Sequence, residues 1–226
     1  FYYQIFDLNN KKVASIGTLG IKSKKFKKDL SNTTIDPIQL SKILSNLKKQ
    51  NINNVIMEAS SHGLSQNRLD GLFFNTGIFS NLSQDHLDYH KNIKNYLKAK
   101  LYLFEKLIKK NGNIITDEKI PEFKKIKEIA SNKNLNLFSL LDKKNNFQFL
   151  SHQYEGESQL LEIRYKNSIH KIKLNLIGQV QLKNLLMAVI ASIKSDMNIE
   201  DIINVIPKIK SVEGRFERVG IIKNNS

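Results

Sequence analysis

The 226-residue sequence has no cysteine. Disulfides and thiolate metal sites are therefore excluded, and the composition fits a cytoplasmic protein. No apolar run approaches the roughly 20 residues of a membrane span, so membrane insertion is not expected. The first residues, FYYQIFDLNNKK, have no basic region followed by an apolar one and no starting methionine. They read as the start of a fragment or excised domain rather than as a signal peptide. Arginine is scarce: Arg68, Arg164, Arg215 and Arg218 are the only ones among 36 basic residues. The net charge of +15 suggests a nucleic-acid binder, but base readout and bidentate phosphate contacts favour arginine. The charge is better read as lysines on solvated faces that also attract a small anionic substrate. No nucleic-acid partner is expected.

Forty per cent hydrophobic and 25% charged residues describe an ordinary globular chain long enough for a sizeable core. Short strands are expected at 13–16, 55–58, 77–81, 113–116 and 135–139. Helices are expected at 36–49, 64–69, 93–110, 121–131, 182–195 and 199–206, with a charged loop at 22–29 and an extended exit at 211–219. Asp36-Pro37 is a helix start: aspartate caps and proline suits the first helical position. Strands alternating with helices indicate an α/β fold with a mostly parallel sheet flanked by helices. Alternating strands within 147–176, with a turn at Lys166-Asn167-Ser168, predict a small appended antiparallel sheet.

The chemistry concentrates between Val55 and His90, which holds three of the five histidines. Ligands of open parallel sheets bind outside the carboxyl ends of the strands. Glu58 ends one strand, and Asp85 and His86 follow another. If the strands are neighbours, Glu58 and His86 share a crevice and suit a hard divalent cation. The alternative is that Glu58 caps a turn and His86 bonds within its loop. The cluster Asp85-His86-x-Asp88-x-His90 also resembles metal-hydrolase spacings. Lys100 falls in an apolar stripe with Ile93, Leu97, Phe104 and Leu107. Either its stem packs while its head reaches solvent, or it faces the crevice and reacts with carbon dioxide to give a metal-binding carbamate. Asn32-Thr33-Thr34, just before the helix start, offers an anion cradle or plain capping groups. Ser60, Ser61, Gln66 and Arg68 follow Glu58 and can hold an anionic substrate next to the metal.

Glu58-Ala-Ser-Ser-His-Gly-Leu with Gln66 and Arg68, then Ser80-Asn-Leu-Ser-Gln-Asp-His-Leu-Asp-Tyr-His90, then Tyr96-x-x-Ala99-Lys100, resemble the Mur ligases. Gly17-Thr-Leu-Gly20, Asn32-Thr-Thr34, Gly178 to Asn184 and Glu213-Gly-Arg-Phe-Glu217 fall in the matching order. The likeness is greatest to the branch that adds the third residue of the peptidoglycan stem peptide. It implies a central, ATPase-like domain over 1–212, with 213–226 the linker and start of a C-terminal ligase domain.

The resemblance further implies an ATP-dependent amide ligase of peptidoglycan synthesis that acts through an acyl phosphate. Its substrates would be UDP-N-acetylmuramoyl-L-alanyl-D-glutamate, ATP and a diamino acid, meso-diaminopimelate or L-lysine, with two Mg2+ ions. Glu58 would ligate one magnesium and His86 the other. Lys100 would be the carbamylated lysine beside them, while Asp88 and His90 would be structural members of the loop. Asn32, Thr33, Thr34, Ser60, Gln66 and Arg68 would hold the UDP-muramoyl-dipeptide; Asn184 and Arg215 would meet the nucleotide. Gln181 stands where the family has the first of two asparagines, and Ile35 where it commonly has proline. The family's Gly-rich phosphate loop and its N- and C-terminal domains are not in the sequence, so the 226 residues alone are expected to be inactive. The weaker candidates are a folylpolyglutamate synthase-like ligase and a metal-dependent phosphohydrolase.

Overall fold

A computed structural model describes residues 1–24, 27–83, 85–142, 146–156, 158–176 and 178–212. Helix α1 (Tyr2–Leu8) leads into β1 (Val13–Gly17), which turns back through Thr18-Leu19 into β2 (Gly20–Ser23) and then β3 (Lys27–Lys28). The expected loop at 22–29 is thus partly strand. Lys27 and Lys28 form the edge strand β3, where charge discourages further pairing. Helix α2 (Pro37–Lys49) starts as expected, with Asp36 Oδ1 accepting from the Ile38 and Gln39 N–H groups. It returns the chain to β4 (Asn54–Met57), parallel to β1. The resulting sheet has the order β3-β2-β1-β4.

Helix α3 (Ser61–Ser65) starts three residues before the expected 64–69, because Ser60 Oγ accepts from the Gly63 N–H and caps it. Strand β5 (Phe74–Phe79), the single turn α4 (Leu87–His90) and α5 (Ile93–Tyr102) follow. A π-helical turn, Leu103–Leu107, ends α5, and the chain enters β6 (Ile108–Thr116) at once. The helix expected to run to 110 stops here because Ile108 is needed opposite Phe74. Helix α6 (Phe123–Lys133) and β7 (Asn136–Ser139) complete an all-parallel sheet of order β5-β6-β7.

Strands β8 (Phe147–Glu155), β9 (Ser158–Tyr165) and β10 (Ser168–Leu174) form the expected antiparallel sheet. Lys166, at φ 52°, supports the tight turn between β9 and β10. Helices α7 (Gln179–Ile193) and α8 (Ile199–Val205) finish the described chain. Helix α7 buries Leu182, Leu185, Leu186, Val189 and Ile190, together with Gln181, Met187, Ala188, Ala191 and Ser192. It packs with α1, α8 and the antiparallel sheet in the largest apolar cluster. A helix apolar nearly all round belongs inside a core.

The mixed sheet ending in β4 and the parallel sheet ending in β5 do not join. Among the described residues β4 pairs only with β1, and β5 only with β6. Between their facing edges lies a cavity of about 750 Å³, lined along both strands from Asn53 to Ala59 and from Phe73 to Ser80. The condition that β4 and β5 be neighbours is met only across this slot, since the two strands share no ladder among the described residues. The slot also explains why these strands, expected to be buried, are largely half-exposed. No helix among the described residues is long and apolar enough to cross a membrane.

Candidate active site

The end of β4 delivers Glu58 to the mouth of the slot. Its Oε2 accepts from both the Thr18 N–H (2.7 Å) and the Thr18 Oγ1 (2.8 Å). The β1–β2 turn can lie this close only because Gly17 has no side chain: a Cβ there would come within 2.5 Å of Oε2 and 2.8 Å of the Glu58 Cβ. Thr18 Oγ1 also meets Thr33 Oγ1 at 3.0 Å. Thr18 lies within the Gly17-Thr-Leu-Gly20 run, and nothing in the sequence alone marks it as the partner of Glu58.

Thr34 is 2% exposed and joins two loops. Its hydroxyl donates to the Glu58 carbonyl (3.1 Å) and accepts from the Ser60 N–H (2.9 Å). The Arg68 guanidinium donates to the Thr34 carbonyl at 2.7 Å. The structure therefore gathers Thr33, Thr34, Glu58, Ser60 and Arg68 at one junction, with Asn32 exposed beside it. Thr34 and Ser60 spend their hydroxyls on the protein backbone, as capping and cross-linking groups do.

A second group forms over α3. Gln66 Nε2 donates to the Tyr89 phenol at 3.0 Å, and the Ser65 hydroxyl meets the same oxygen at 3.2 Å. The His62 ring lies 4.1 Å from Tyr89, 5.0 Å from His86 and 5.4 Å from His90. His86 is exposed and adopts a left-handed backbone at φ 56°, with its Nδ1 3.7 Å from Asp85. His90 is buried and bonded through Nε2 to Ser61 Oγ at 2.9 Å. Burial, together with the neighbouring His62 and His86, holds the His90 pKa below the ordinary imidazole value. The cluster Asp85-His86-x-Asp88-x-His90 thus does not converge on one point. Among the described residues no group of three or more His, Asp or Glu side chains is placed to hold a metal ion.

Lys100 lines the slot together with Glu58. Its Nζ donates to the Asn81 carbonyl at 2.8 Å and lies 5.2 Å from the Phe79 ring and 5.3 Å from the Tyr96 ring. Desolvation lowers its pKa from the ordinary lysine value. The apolar stripe around it holds at Leu97, Phe104 and Leu107, whereas Ile93 is 43% exposed.

At the start of α7, Lys183 reaches Asp117, which follows the end of β6, at 2.6 Å. Asn184 is the next residue along α7 and stands apart from the slot lining. Arg215 and the expected segment from residue 213 onward lie outside the described residues.

Residues 1–192 match the family described as Mur ligase middle domain. The chain belongs to the Mur ligase family. It is 33% identical over 223 residues to a UDP-N-acetylmuramoyl-L-alanyl-D-glutamate–2,6-diaminopimelate ligase of Zymomonas mobilis, covering 99% of this chain and 46% of that protein. A ligase of the same name from Rickettsia montanensis is 34% identical over 220 residues, covering 96% and 46%. This Mur ligase chain therefore spans about half the length of the curated relatives it matches. A solved structure of a ligase of that name superposes with a TM-score of 0.83 at 24% identity over 95% of this chain and 44% of the other, a likeness of fold.

Proposed function

We propose that this Mur ligase chain is the nucleotide-handling part of an ATP-dependent amide ligase of peptidoglycan synthesis. The ligase joins 2,6-diaminopimelate to UDP-N-acetylmuramoyl-L-alanyl-D-glutamate, and the shared name of the relatives supports that choice over lysine. The observation that carries the reading is that Glu58 and Lys100 both line one slot, which opens between the parallel-paired edge strands β4 and β5 of two sheets. That is where an α/β sheet receives a ligand.

In this reading the slot seats one further strand, and the glycine-rich phosphate loop follows it to lie beside Glu58 and Lys100. Both Thr18 bonds to Glu58 fall on Oε2, so that among the described residues Oε1 is the oxygen open to a cation. One carboxylate and one imidazole, Glu58 and His86, suit Mg2+, which keeps waters and substrate phosphates in its shell. Bound magnesium supplies charge neutralisation for the transferring phosphoryl group.

The protein's own residues position. Thr34 and Arg68 hold the Glu58 loop and the α3 loop in register. Asn32, Thr33, Ser60 and Gln66 line the approach of the UDP-muramoyl-dipeptide. The lowered pKa of Lys100 raises the fraction of free amine, which takes up carbon dioxide with loss of one proton to give a carbamate. A carboxylate oxygen of the dipeptide then attacks the γ-phosphorus, and the bond to ADP breaks. The diamino acid's amine attacks the resulting acyl phosphate, phosphate leaves, and the amine gives up a proton. Asn184 and Arg215 stand for the nucleotide. A metal-dependent phosphohydrolase fits less well, because His90, which would be one of its ligands, is buried against Ser61.

The test compares the 226-residue chain with the same chain extended at both ends to the length of the relatives. Mass spectrometry of UDP-linked products should show diaminopimelate-dependent ligation by the long form and none by the short one. Ligation by the short form, or product from lysine at the expense of diaminopimelate, would overturn the reading.

A further inference from the structure

The turn α4 has little reason to persist by itself. It is four residues long, and a single helical turn is below the length that is stable alone. The residues that bound it, His86 and Lys91, both sit at positive φ, 56° and 66°, a region that side-chain-bearing residues disfavour. What holds it comes from outside. His90 is 6% exposed and bonds through Nε2 to Ser61 Oγ at 2.9 Å. Its ring stacks on Tyr96 with 5.1 Å between centroids and 21° between planes. Asn95 Nδ2 donates to its carbonyl at 3.2 Å. The His90 N–H in turn donates to the His86 carbonyl at 3.0 Å. Ser61 is the first residue of α3, the helix that carries the loop from Ser60 to Arg68.

We propose that His90 is a positioning residue: it clasps α4 to α3 and so fixes, through its own turn, the backbone that aims His86, and, through Ser61, the loop that offers Ser60, Gln66 and Arg68 to the substrate. It acts through Ser61 and His86 and touches neither nucleotide nor dipeptide. Tyr89 is the second half of the clasp, since its phenol meets Ser65 and Gln66 one turn further along α3. The role in substrate binding rests on the ligase reading, whereas the clasp itself does not.

Two substitutions separate the contributions in the full-length ligase. His90→Gln keeps an amide nitrogen near the position of Nε2, and His90→Phe keeps the ring but loses the bond. Hydrogen exchange, measured without nucleotide or metal, should speed up about threefold to tenfold at the Gly63, Leu64 and His90 amides in His90→Phe. His90→Gln should stay within about twofold of the parent. The Michaelis constant for UDP-N-acetylmuramoyl-L-alanyl-D-glutamate should rise by a similar factor in His90→Phe and recover in His90→Gln. Tyr89→Phe, a milder change, should speed exchange at Gln66 and leave the fold intact if His90→Phe proves insoluble. Unchanged exchange in both His90→Phe and Tyr89→Phe would overturn the clasp, as would a His90→Gln variant as mobile as His90→Phe. Faster exchange with an unchanged Michaelis constant would keep the clasp and overturn its role in substrate binding.

Discussion

Replacing Thr34 by valine isolates the bond pair that couples the Glu58 loop to the α3 loop. Valine matches threonine in shape but has no hydroxyl, so the Glu58 carbonyl and the Ser60 N–H both lose a partner. An unsatisfied buried backbone group costs about 1–3 kcal/mol. Glu58 is exposed and Ser60 half-buried, so water relieves part of this, and the pair should cost about 2–3 kcal/mol. For a domain of this size each kcal/mol moves the melting temperature by about 2–4 °C. Thr34→Val should therefore melt about 4–12 °C lower, followed by circular dichroism on heating. Thr34→Ser keeps the hydroxyl and loses only the methyl that packs against Gly63, where Cγ2 would lie 2.5 Å from a Cβ. That loss is worth about 1 kcal/mol. A Thr34→Val protein melting within about 1 °C of the parent, or a Thr34→Ser protein melting lower than Thr34→Val, would refute the coupling.

Asp117 is 2% exposed and leans on Lys183. Lys183→Met strands that carboxylate and should destabilise the chain by about 1–3 kcal/mol. Adding Asp117→Asn should recover part of the loss, and urea titrations of the four-protein cycle would show no coupling if the ion pair were idle.

Local rules carried far along this chain. Asp36-Pro37 announced α2, and the Lys166-Asn167 turn announced the β9–β10 hairpin, because capping and turn chemistry are encoded within a few residues. The apolar stripe around Lys100 placed that lysine correctly against the core, since its Nζ lies over Phe79 and Tyr96. Three things were not legible. The first turn of α3 falls outside the expected helix at 64–69, because Ser60, Ser61 and Gly63 are poor helix formers and only the Ser60 cap favours them. The expected helix at 93–110 overruns α5, because Leu103, Leu107 and Ile108 keep an apolar period while the backbone passes through a π turn into β6. Strand order was out of reach altogether: periodicity marks β4 and β5 as strands but says nothing of a slot between them.

At the site, the resemblance to the Mur ligases supplied the residue types, and the geometry supplied the couplings. Glu58 with Thr18, Thr34 with Ser60, and His90 with Ser61 each join residues far apart in sequence. Such contacts leave no periodic trace. Thr18, Ser61 and Tyr89 were missed as partners for that reason.

Phosphoryl transfer at the slot lined by Glu58 and Lys100 is the proposed chemistry that most needs testing. The most direct measurement is ATP-dependent ligation of diaminopimelate by the full-length ligase carrying Lys100→Ala, assayed with and without an added short-chain carboxylate. Losing a charge-positioning group of this kind should lower turnover about 100-fold to 1,000-fold, and the added carboxylate should restore a measurable part of it. Undiminished turnover of the variant without any additive would contradict the account.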